Sequence, residues 1–578
     1  MLDIPEIPAP AGAKLADFFA WLGTGLPLRV ERVHQAGRHG DGILCLSAAA
    51  AVALGLPVEL PATEKALARL QEKFAKAAAT VGMELSDELG PTFYAFRRKG
   101  SAGGSKTSLR IVIVPWLGQG SDKQQATTHL MTQLATTPDG ELDAVTLARR
   151  LRAFTADLGM TPGVTPASTS MLLLDAVRPR TEWVQDDQGA WTAHLRDGAL
   201  PSGDVSVPVA AGARHPRTRQ VLEQDGTVCE EEDYKWWARE LTDTEAAMPF
   251  AVAVDVCASY LSVTESLRLP SGPLEFTDAA VFDAKAAGLW WCDFTDIAVD
   301  ELLPHPATFH GMPPTGPGWY ATPTVAYMQQ AYGFDVDTIT DAYVSTYTVP
   351  LLKEWTGRLR TAYKNAYAHL GLFDGQSPAE FLAAYDTHKD LDVETSGGGE
   401  YGNRADALVL ASLYKNVYKG GIGKWADSAR HLDDTTWAEK IAGSWSYRPE
   451  IRFHIIAAAR IAAHRRMRKT LQLTGRAPFA VNVDSYLYAT QQPSPIELLP
   501  TMAEGKPVPG ALRLGIAPGS HKHEASIPME QVQALMAERE HPSRLTHEFT
   551  TSGDPVDSDS DSDSVVEYED QEQMTDGA

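Results

Sequence analysis

The sequence predicts a mixed α/β (α+β) protein of several domains that ends in a disordered acidic tail. Two apolar runs rich in β-branched residues, Leu109–Trp116 and Met248–Asp255, are typical of buried strands. The stretch Pro449–Leu473 is long enough for a helix of several turns. At 578 residues the chain exceeds the roughly 250–300 residues that one hydrophobic core usually supports.

The charge of the chain is unevenly distributed. The formal net charge is −24, yet residues 551–578 hold ten acids and no Lys, Arg or His. The stretch Arg448–Arg476 is strongly basic by contrast. A negative total therefore does not exclude nucleic-acid binding. We expect the tail, residues 546–578, to be a solvated disordered segment, with mimicry of the charge of DNA as the alternative.

Membrane, secreted and disulfide-rich proteins are not favoured by this sequence. No apolar run reaches the roughly 18 residues that span a bilayer. The first residues lack the basic and apolar regions of a secretory signal. The cysteines are far apart and have no CxxC spacing, so they indicate neither a disulfide framework nor a zinc site. We expect a cytoplasmic protein with no membrane partner. The four cysteines are Cys45, Cys229, Cys257 and Cys292.

The first 247 residues divide into two predicted regions. Residues 1–105 are expected to be mostly helical, because Ala-rich amphipathic stretches dominate them. Residues 106–247 begin with the strand Leu109–Trp116, followed by an amphipathic helix over Gly140–Phe154. Residues 185–230 are rich in Gly, Pro and Asp, which favours loops or a β-meander.

The rest of the chain alternates predicted strands and helices. The strand Met248–Asp255 ends on an acid and is followed by a mixed segment. A basic helix then leads into a second apolar strand that also ends on an acid. The predicted elements after the mixed segment are helices Val349–Leu370 and Arg404–Tyr418 with a Gly-rich stretch at Ser396–Gly399 between them, helix Pro449–Leu473, strand Pro478–Asp484 and helix Met529–Glu538.

Asp255 and Asp484 are the main candidates for chemistry. A carboxylate at the end of a buried strand is costly to desolvate unless it is paired or binds a cation. Two such acids on neighbouring strands would share divalent metals, as enzymes of phosphoryl transfer require. The alternative is a pair of strand-end caps or structural ion pairs.

The surroundings of both acids are similar to motifs of one enzyme family. Asp255–Ser262 resembles motif A of B-family DNA polymerases, D-x-x-S-L-Y-P-S, with Asp255 and Tyr260 in register. Ala480–Ser485 resembles motif C, Y-x-D-T-D-S, with Asp484 in place of the second acid. Helix Pro449–Leu473 is of the kind that precedes motif C in this family.

The resemblance implies a role for each matching residue. Asp255 and Asp484 would bind two Mg²⁺ (or Mn²⁺) ions, assisted by the backbone carbonyl of Val256. Tyr260 would pack under the incoming sugar and exclude a 2′-hydroxyl. Ser485 and Lys522 would contact DNA, Lys522 near the primer strand, although a lone Lys in a loop is usually only solvated.

The resemblance also implies a fingers region over residues 349–420. Arg360 and Lys364 share one helix face at the spacing of the family's triphosphate contacts; a solvated basic face is the alternative. Ala405–Lys415 resembles motif B, K-x-x-x-N-S-x-Y-G, in which Tyr414 matches. Its Lys, Asn and Gly fall on Ala407, Ala411 and Lys415, and the first acid of motif C falls on Asn482. Arg404, nearly one turn before Ala407, is expected to replace the missing Lys and contact the nucleotide.

The family also implies a division into domains of the right-hand polymerase type. Residues 106–247 would form a degenerate exonuclease-like domain with an RNase H-like fold, because the strand Leu109–Trp116 contains no acid and Asp143 stands alone at the start of its helix. The remaining regions are palm and insertion at 248–348, fingers at 349–420, palm at 421–495 and a thumb-like region at 496–545.

These observations predict a template-directed DNA polymerase without proofreading, similar to the protein-primed polymerases of phages and linear actinobacterial replicons. Its partners would be primer-template DNA, dNTPs and a terminal protein primer. The alternative is a catalytically inactive DNA-binding replication or telomere-associated factor, which the missing motif B residues favour. A phosphotransferase on another substrate is a third possibility, but no Walker-type loop is present.

Overall fold

The N-terminal part of the chain, in the computed structural model, is built on a four-stranded sheet. Its strands are β1 (Gly42–Leu46), β2 (Glu84–Leu85), β3 (Thr92–Arg97) and β4 (Thr107–Ile113), in the order β1-β4-β3-β2. Helices α1 (Leu15–Gly23), α2 (Ala48–Ala53) and α3 (Glu64–Ala79) belong to the same part. The structure describes residues 15–23, 30–37, 39–86, 89–97, 107–185, 187, 189, 191–200, 202, 209–210, 228–229, 231–391, 401–426, 444–502 and 506–550.

This sheet corrects the prediction of a mostly helical region over residues 1–105. Strands β1, β2 and β3 lie inside that region, and β4 pairs with β1 and β3 across the predicted boundary. The aromatic residues Phe19, Phe74 and Phe93 pack edge to face in the core between the helices and the sheet. The Ala-rich stretches of this region indicated helices and gave no signal for the short strands, whose pairing depends on β4. Strand β4 itself was predicted correctly.

Three helices follow the sheet, and the second begins at a capping acid. They are α4 (Asp122–Ala135), α5 (Ala144–Leu158) and α6 (Pro166–Val177). Asp143 is the N-cap of α5, and its side chain accepts from the Thr146 amide at 2.7 Å. The predicted helix over Gly140–Phe154 is therefore confirmed, with a later start and a later end. Most of residues 185–230, where loops or a meander were predicted, lie outside the described residues.

The later elements follow in chain order. Within the described residues they are β5 (Thr181–Gln185), β6 (Trp191–Leu195), β7 (Val209–Ala210), β8 (Val228–Cys229), β9 (Trp237–Ala238), α7 (Asp243–Ala246), β10 (Phe250–Val256), β11 (Leu269–Pro270), β12 (Leu274–Thr277), β13 (Gly288–Cys292), β14 (Gly318–Ala321), α8 (Thr322–Tyr332), β15 (Ala342–Ser345), β16 (Thr348–Val349), α9 (Lys353–His369), α10 (Pro378–Thr387), α11 (Arg404–Lys424), α12 (Pro449–Thr474), β17 (Ala480–Asn482), β18 (Ser485–Thr490), β19 (His521–Pro528) and α13 (Met529–Ala537).

The centre of the second half is a five-stranded antiparallel sheet in the order β19-β10-β18-β17-β9. One face carries Val252 and Val254 with Tyr486, in a cluster that also includes residues of α12. The other face carries Ala251 and Ala253 in a cluster with residues of α13. Alternation of side chains along β10 places Asp255 on this second face, at the end of the strand.

The segment predicted as thumb-like, residues 496–545, contributes to this sheet. Strand β19 lies within it and pairs with β10 along its whole length, and α13 packs on the same sheet. This part of the chain therefore completes the layer that carries Asp255. A separate six-stranded sheet, in the order β12-β15-β13-β14-β8-β7, is built mainly from the segment between β10 and α9, where an insertion was predicted.

The predicted helices of the fingers region are confirmed as α9 and α11. Together with α5 and α6 they share one hydrophobic core that includes Phe154, Leu173, Leu359 and Leu410. The mixed α/β class is thus confirmed. Among the helices of the described ranges, none combines the length and the apolar character needed to cross a membrane. The Gly-rich stretch Ser396–Gly399 and residues 551–578 of the predicted tail lie outside the described residues.

Candidate active site

Asp255 and Asp484 meet at one end of the central sheet. Asp255 lies in β10 opposite Ser485, and the Val256 amide donates to the backbone oxygen of Asp484 at 3.0 Å. The charge of Asp255 acts on the Asp484 carboxyl group. Strand pairing therefore brings together the two acids that the sequence singled out.

Asp484 was predicted to end a strand. It lies instead in the two-residue turn between β17 and β18. The turn contains Val483 with a φ of 55°, which is strained for a β-branched residue. Such a residue costs on the order of 1–3 kcal/mol and persists where surrounding contacts fix it. Here the Val483 amide donates to the Tyr234 oxygen at 2.6 Å. Asn482, at the position of the first motif C acid, accepts from the Trp236 amide at 3.4 Å.

The paired acids repel each other electrostatically. Burial, and then the charge of Asp255, raises the pKa of Asp484 well above its ordinary value, while Lys419 and Lys415 act in the opposite direction. Like charges this close cannot both ionise without a compensating cation or a shared proton.

Lys522 supplies one such cation. It lies opposite Asp255 on β19, and its Nζ is 3.1 Å from Asp255 Oδ2. On the other side, the Ser485 hydroxyl donates to Glu524 Oε2 at 2.5 Å. Ser485, Asp255 and Lys522 thus form a polar row across three adjacent strands. The contacts of Ser485 and Lys522 with DNA remain predictions.

The oxygen donors of this site suit a hard divalent cation. Carboxylates are the ligands that Mg²⁺ and Mn²⁺ prefer. The N–H and C=O of one residue in an antiparallel strand point to the same side, so the Val256 carbonyl faces the Asp484 turn, as its amide does. The ranges that the structure describes contain no group of three or more His, Cys, Asp or Glu arranged to hold a metal. The two aspartates and this carbonyl remain the predicted metal donors.

Tyr260 lies in a short 3₁₀ turn over Tyr260–Ser262, directly after β10. Its hydroxyl donates to Asp233 Oδ2 at 2.5 Å. Burial, and then the charge of Asp233, raises the pKa of Tyr260 well above its ordinary value, so the hydroxyl stays protonated. The charge of Asp484 also raises the pKa of Tyr260. Asp233 was not singled out from the sequence, because nothing in its neighbourhood indicates its partner.

Arg360 and Lys364 are on one face of α9, and each has an acidic partner. The Arg360 guanidinium binds both oxygens of Glu265 in a fork, with Nη2 2.8 Å from Oε1. Lys364 pairs with Asp374. All four side chains are well exposed, so these pairs are weak and exchangeable. Their predicted contact with a nucleotide remains a prediction.

Arg404 differs from its predicted role. Its side chain is buried and donates to carbonyl oxygens at the end of α10 and beyond, including those of Thr387 (3.1 Å), His388 (2.8 Å) and Asp390 (2.8 Å). It therefore satisfies the last carbonyls of a helix, which otherwise lack donors. Because these hydrogen bonds hold its guanidinium at the end of α10, Arg404 does not replace the missing Lys of motif B.

Tyr414 also has a structural partner in place of the predicted nucleotide. It is fully buried, stacks on Phe154 of α5, and donates to Asp157 Oδ2 at 2.7 Å. The side of α11 that acts on Asp484 carries Lys415, Tyr418 and Lys419 instead. The signal for them in the sequence is the i, i+4 spacing of the two lysines. The motif B alignment missed this signal because it placed Lys415 at the position of the motif's Gly.

Comparisons with known proteins give two kinds of similarity. The family model "Domain of unknown function (DUF8841)" matches residues 1–165. The chain is similar to the solved structure of Phi29 DNA polymerase in an orthorhombic crystal form, with 11% identity, coverage of 75% of this chain and 68% of that chain, and a TM-score of 0.36. It is also similar to Phi29 DNA polymerase complexed with primer-template DNA, with 12% identity, coverage of 76% and 68%, and a TM-score of 0.36. Comparison with curated proteins gives no match. At these values the likeness carries no conclusion about activity, which depends on the side chains of the site.

Proposed function

We propose that the chain is a template-directed DNA polymerase that joins dNTPs to a primer hydroxyl at the Asp255–Asp484 site. The observation that carries this proposal is the juxtaposition of two acids, Asp255 at the end of β10 and Asp484 in the adjacent turn, joined through the hydrogen bond from the Val256 amide to the Asp484 backbone oxygen. Two acids placed side by side repel each other and gain the fold nothing in stability, whereas a divalent-cation site requires them.

The residues of the chain have separable tasks in this proposal. Asp255, Asp484 and the Val256 carbonyl would hold two Mg²⁺ or Mn²⁺ ions, which when bound would lower the pKa of a primer hydroxyl and stabilise negative charge on a leaving pyrophosphate. Lys415 and Lys419 add positive charge beside Asp484, where the phosphates of a nucleotide would lie. Tyr260 packs against the sugar. Primer-template DNA is the proposed partner, with a terminal protein as the proposed source of the primer hydroxyl.

The second candidate is a DNA-binding replication factor without catalysis. The contact of Lys522 with Asp255 is the observation in its favour, because it neutralises the acid without a metal. Ala407, which replaces the Lys of motif B, is buried and adds no charge.

A primer-extension assay with Mg²⁺ and with Mn²⁺ separates the two candidates. We expect the wild type to extend a primed template, and Asp255→Asn and Asp484→Asn each to lower the rate by more than about 10²-fold, as for loss of a preorganised electrostatic group. Asp300→Asn is the matched control, because Asp300 is a partly exposed acid paired with Arg468 on α12. If no extension occurs on primed DNA, the assay is repeated with a protein hydroxyl as primer. Absence of extension in both formats, with DNA binding retained, would favour the second candidate.

A further inference from the structure

Three consecutive acids, Glu231, Glu232 and Asp233, precede the candidate site in the chain, and each is bound by a different group. Glu231 is fully buried; it pairs with Arg460 of α12 and accepts from the Ala321 amide at 2.8 Å. A buried acid with two donors of this kind is fixed in place. The first member of the trio therefore anchors the segment to α12 and to the six-stranded sheet.

Glu232 attaches the same segment to α12 a second time. The Arg452 guanidinium binds both of its carboxylate oxygens, with Nη2 2.8 Å from Oε2. Arg452 and Arg460 are eight residues apart, so they lie on the same side of the helix. This helix leads into the hairpin that carries Asp484. The segment is thus held rigidly on an element of the site itself.

Asp233, the third acid, faces the site and binds Tyr260. The hydrogen bond from the Tyr260 hydroxyl is 2.5 Å long, and the next residue, Tyr234, accepts from the Val483 amide through its backbone oxygen. One short piece of chain therefore touches both the tyrosine that follows Asp255 and the turn that carries Asp484. A phenol fixed at its hydroxyl by a rigidly mounted carboxylate cannot swing about its χ1 and χ2 bonds.

We propose that Asp233 is a positioning residue for nucleotide selection: by holding the Tyr260 hydroxyl, it locks the ring where it excludes a ribose 2′-hydroxyl. This inference rests on the proposed function and deepens it, since it assigns the choice of sugar to a residue outside the matched motifs. Without Asp233 the ring gains freedom to move aside, and ribonucleotides enter more readily. The effect is on the discrimination between sugars and not on the chemical step.

The discrimination is measured as the ratio of kcat/KM for dATP to that for ATP in primer extension. Asp233→Ala is expected to lower the ratio about tenfold, the size of one lost hydrogen bond to a charged group. Asp233→Asn keeps an acceptor and is expected to restore most of the ratio. Glu240→Gln is the matched control, because Glu240 is an exposed acid a few residues further along the chain.

A double mutant tests whether Asp233 acts through the hydroxyl. In the Tyr260→Phe background, Asp233→Ala is expected to cause no further fall in the ratio. An equal fall in both backgrounds, or an equal fall in Glu240→Gln, would overturn the inference and leave the proposed function standing.

A binding experiment tests the inference if the wild type shows no primer extension. Calorimetric titration of dATP and ATP into wild type and Asp233→Ala, with Ca²⁺ as a cation that supports binding, reports the same discrimination. We expect the wild type to prefer dATP and the variant to lose most of that preference. A preference that is unchanged in the variant contradicts the inference alone, while a wild type that binds neither nucleotide contradicts it together with the proposed function.

Discussion

Lys522 Nζ lies 3.1 Å from Asp255 Oδ2, so the acid that is proposed to bind metal is already neutralised by a residue of the neighbouring strand. The two side chains are directly opposite on β19 and β10 and are both largely buried. A pair of neighbouring acids needs positive charge nearby, and Lys522 provides it. Lys522 and a divalent cation would therefore compete for the same oxygen.

Removal of this lysine is expected to strengthen metal binding. Lys522→Met keeps the length of the side chain and removes the charge, so the Mn²⁺ affinity should rise by at least about tenfold, given that like charges a few ångströms apart repel by several kcal/mol at an effective dielectric constant of about 20. Calorimetric titration of Mn²⁺ measures the change. Lys469→Met is the control, because Lys469 is an exposed residue of α12. Unchanged or weaker binding in Lys522→Met would show that the lysine does not compete with the metal.

Replacement of Asp484 is expected to stabilise the metal-free protein while removing its response to metal. Asp484→Asn abolishes the repulsion from Asp255, which should raise the free energy of unfolding by about 1–3 kcal/mol in the presence of a chelator. Thermal unfolding with EDTA and with excess Mg²⁺ checks both parts. The wild type should gain stability from Mg²⁺ through mass action, and the variant should not. A variant that is less stable than the wild type in EDTA would mean that Asp484 serves the fold and not the metal.

The strands and helices around the site could be predicted from local sequence. The β-branched run that ends at Asp255 and the long basic stretch of α12 each carry a periodic signal, and both elements lie where predicted. The turn at Asp484 could not be predicted, because the left-handed conformation of Val483 depends on a hydrogen bond to Tyr234. A local pattern contains no information about such a partner.

The candidate site itself was predicted in part for the same reason. Asp255 and Asp484 are recognisable because each ends an apolar run. Asp233 could not be predicted, because its role depends on a tertiary hydrogen bond from Tyr260 that no spacing indicates. Arg404 was predicted to contact a phosphate because it lies next to motif B. The hydrogen bonds that it makes depend instead on where α10 ends.

Asp143 gives a prediction about pH, because it caps helix α5. Burial alone would raise the pKa of Asp143, but the hydrogen bonds from Thr146 outweigh it and the net pKa is lowered. A lowered pKa in the folded state means that the contribution is complete above the unfolded pKa of about 3.9 and is lost as pH falls through the folded value. Asp143→Ala should therefore cost about 1 kcal/mol of local stability at pH 7 and much less at pH 3.

Hydrogen exchange of the first turn of α5, followed at both pH values, measures this effect. Asp139→Ala is the control, because Asp139 is exposed and lies just before the helix. An equal loss of protection at pH 7 and pH 3, after correction for the intrinsic exchange rate, would show that the carboxylate charge is not what caps the helix.

Asp406 joins α11 to α5, and its removal is expected to loosen the layer that holds Lys415 and Lys419. Its oxygens accept from Arg149 and from Arg150, whose Nε lies 2.7 Å from Oδ1, and Asp406 and Arg150 are almost completely buried. Asp406→Ala leaves the buried Arg150 charge without its acid, which should cost about 3–5 kcal/mol. Hydrogen exchange should then show faster opening of α5 and α11 together, while the central sheet stays protected. Asp386→Ala, at an exposed acid of α10, serves as control. If α11 kept its protection in Asp406→Ala, apolar packing against α6 and α9 would be sufficient to hold the helix beside Asp484, and the ion pairs would contribute little.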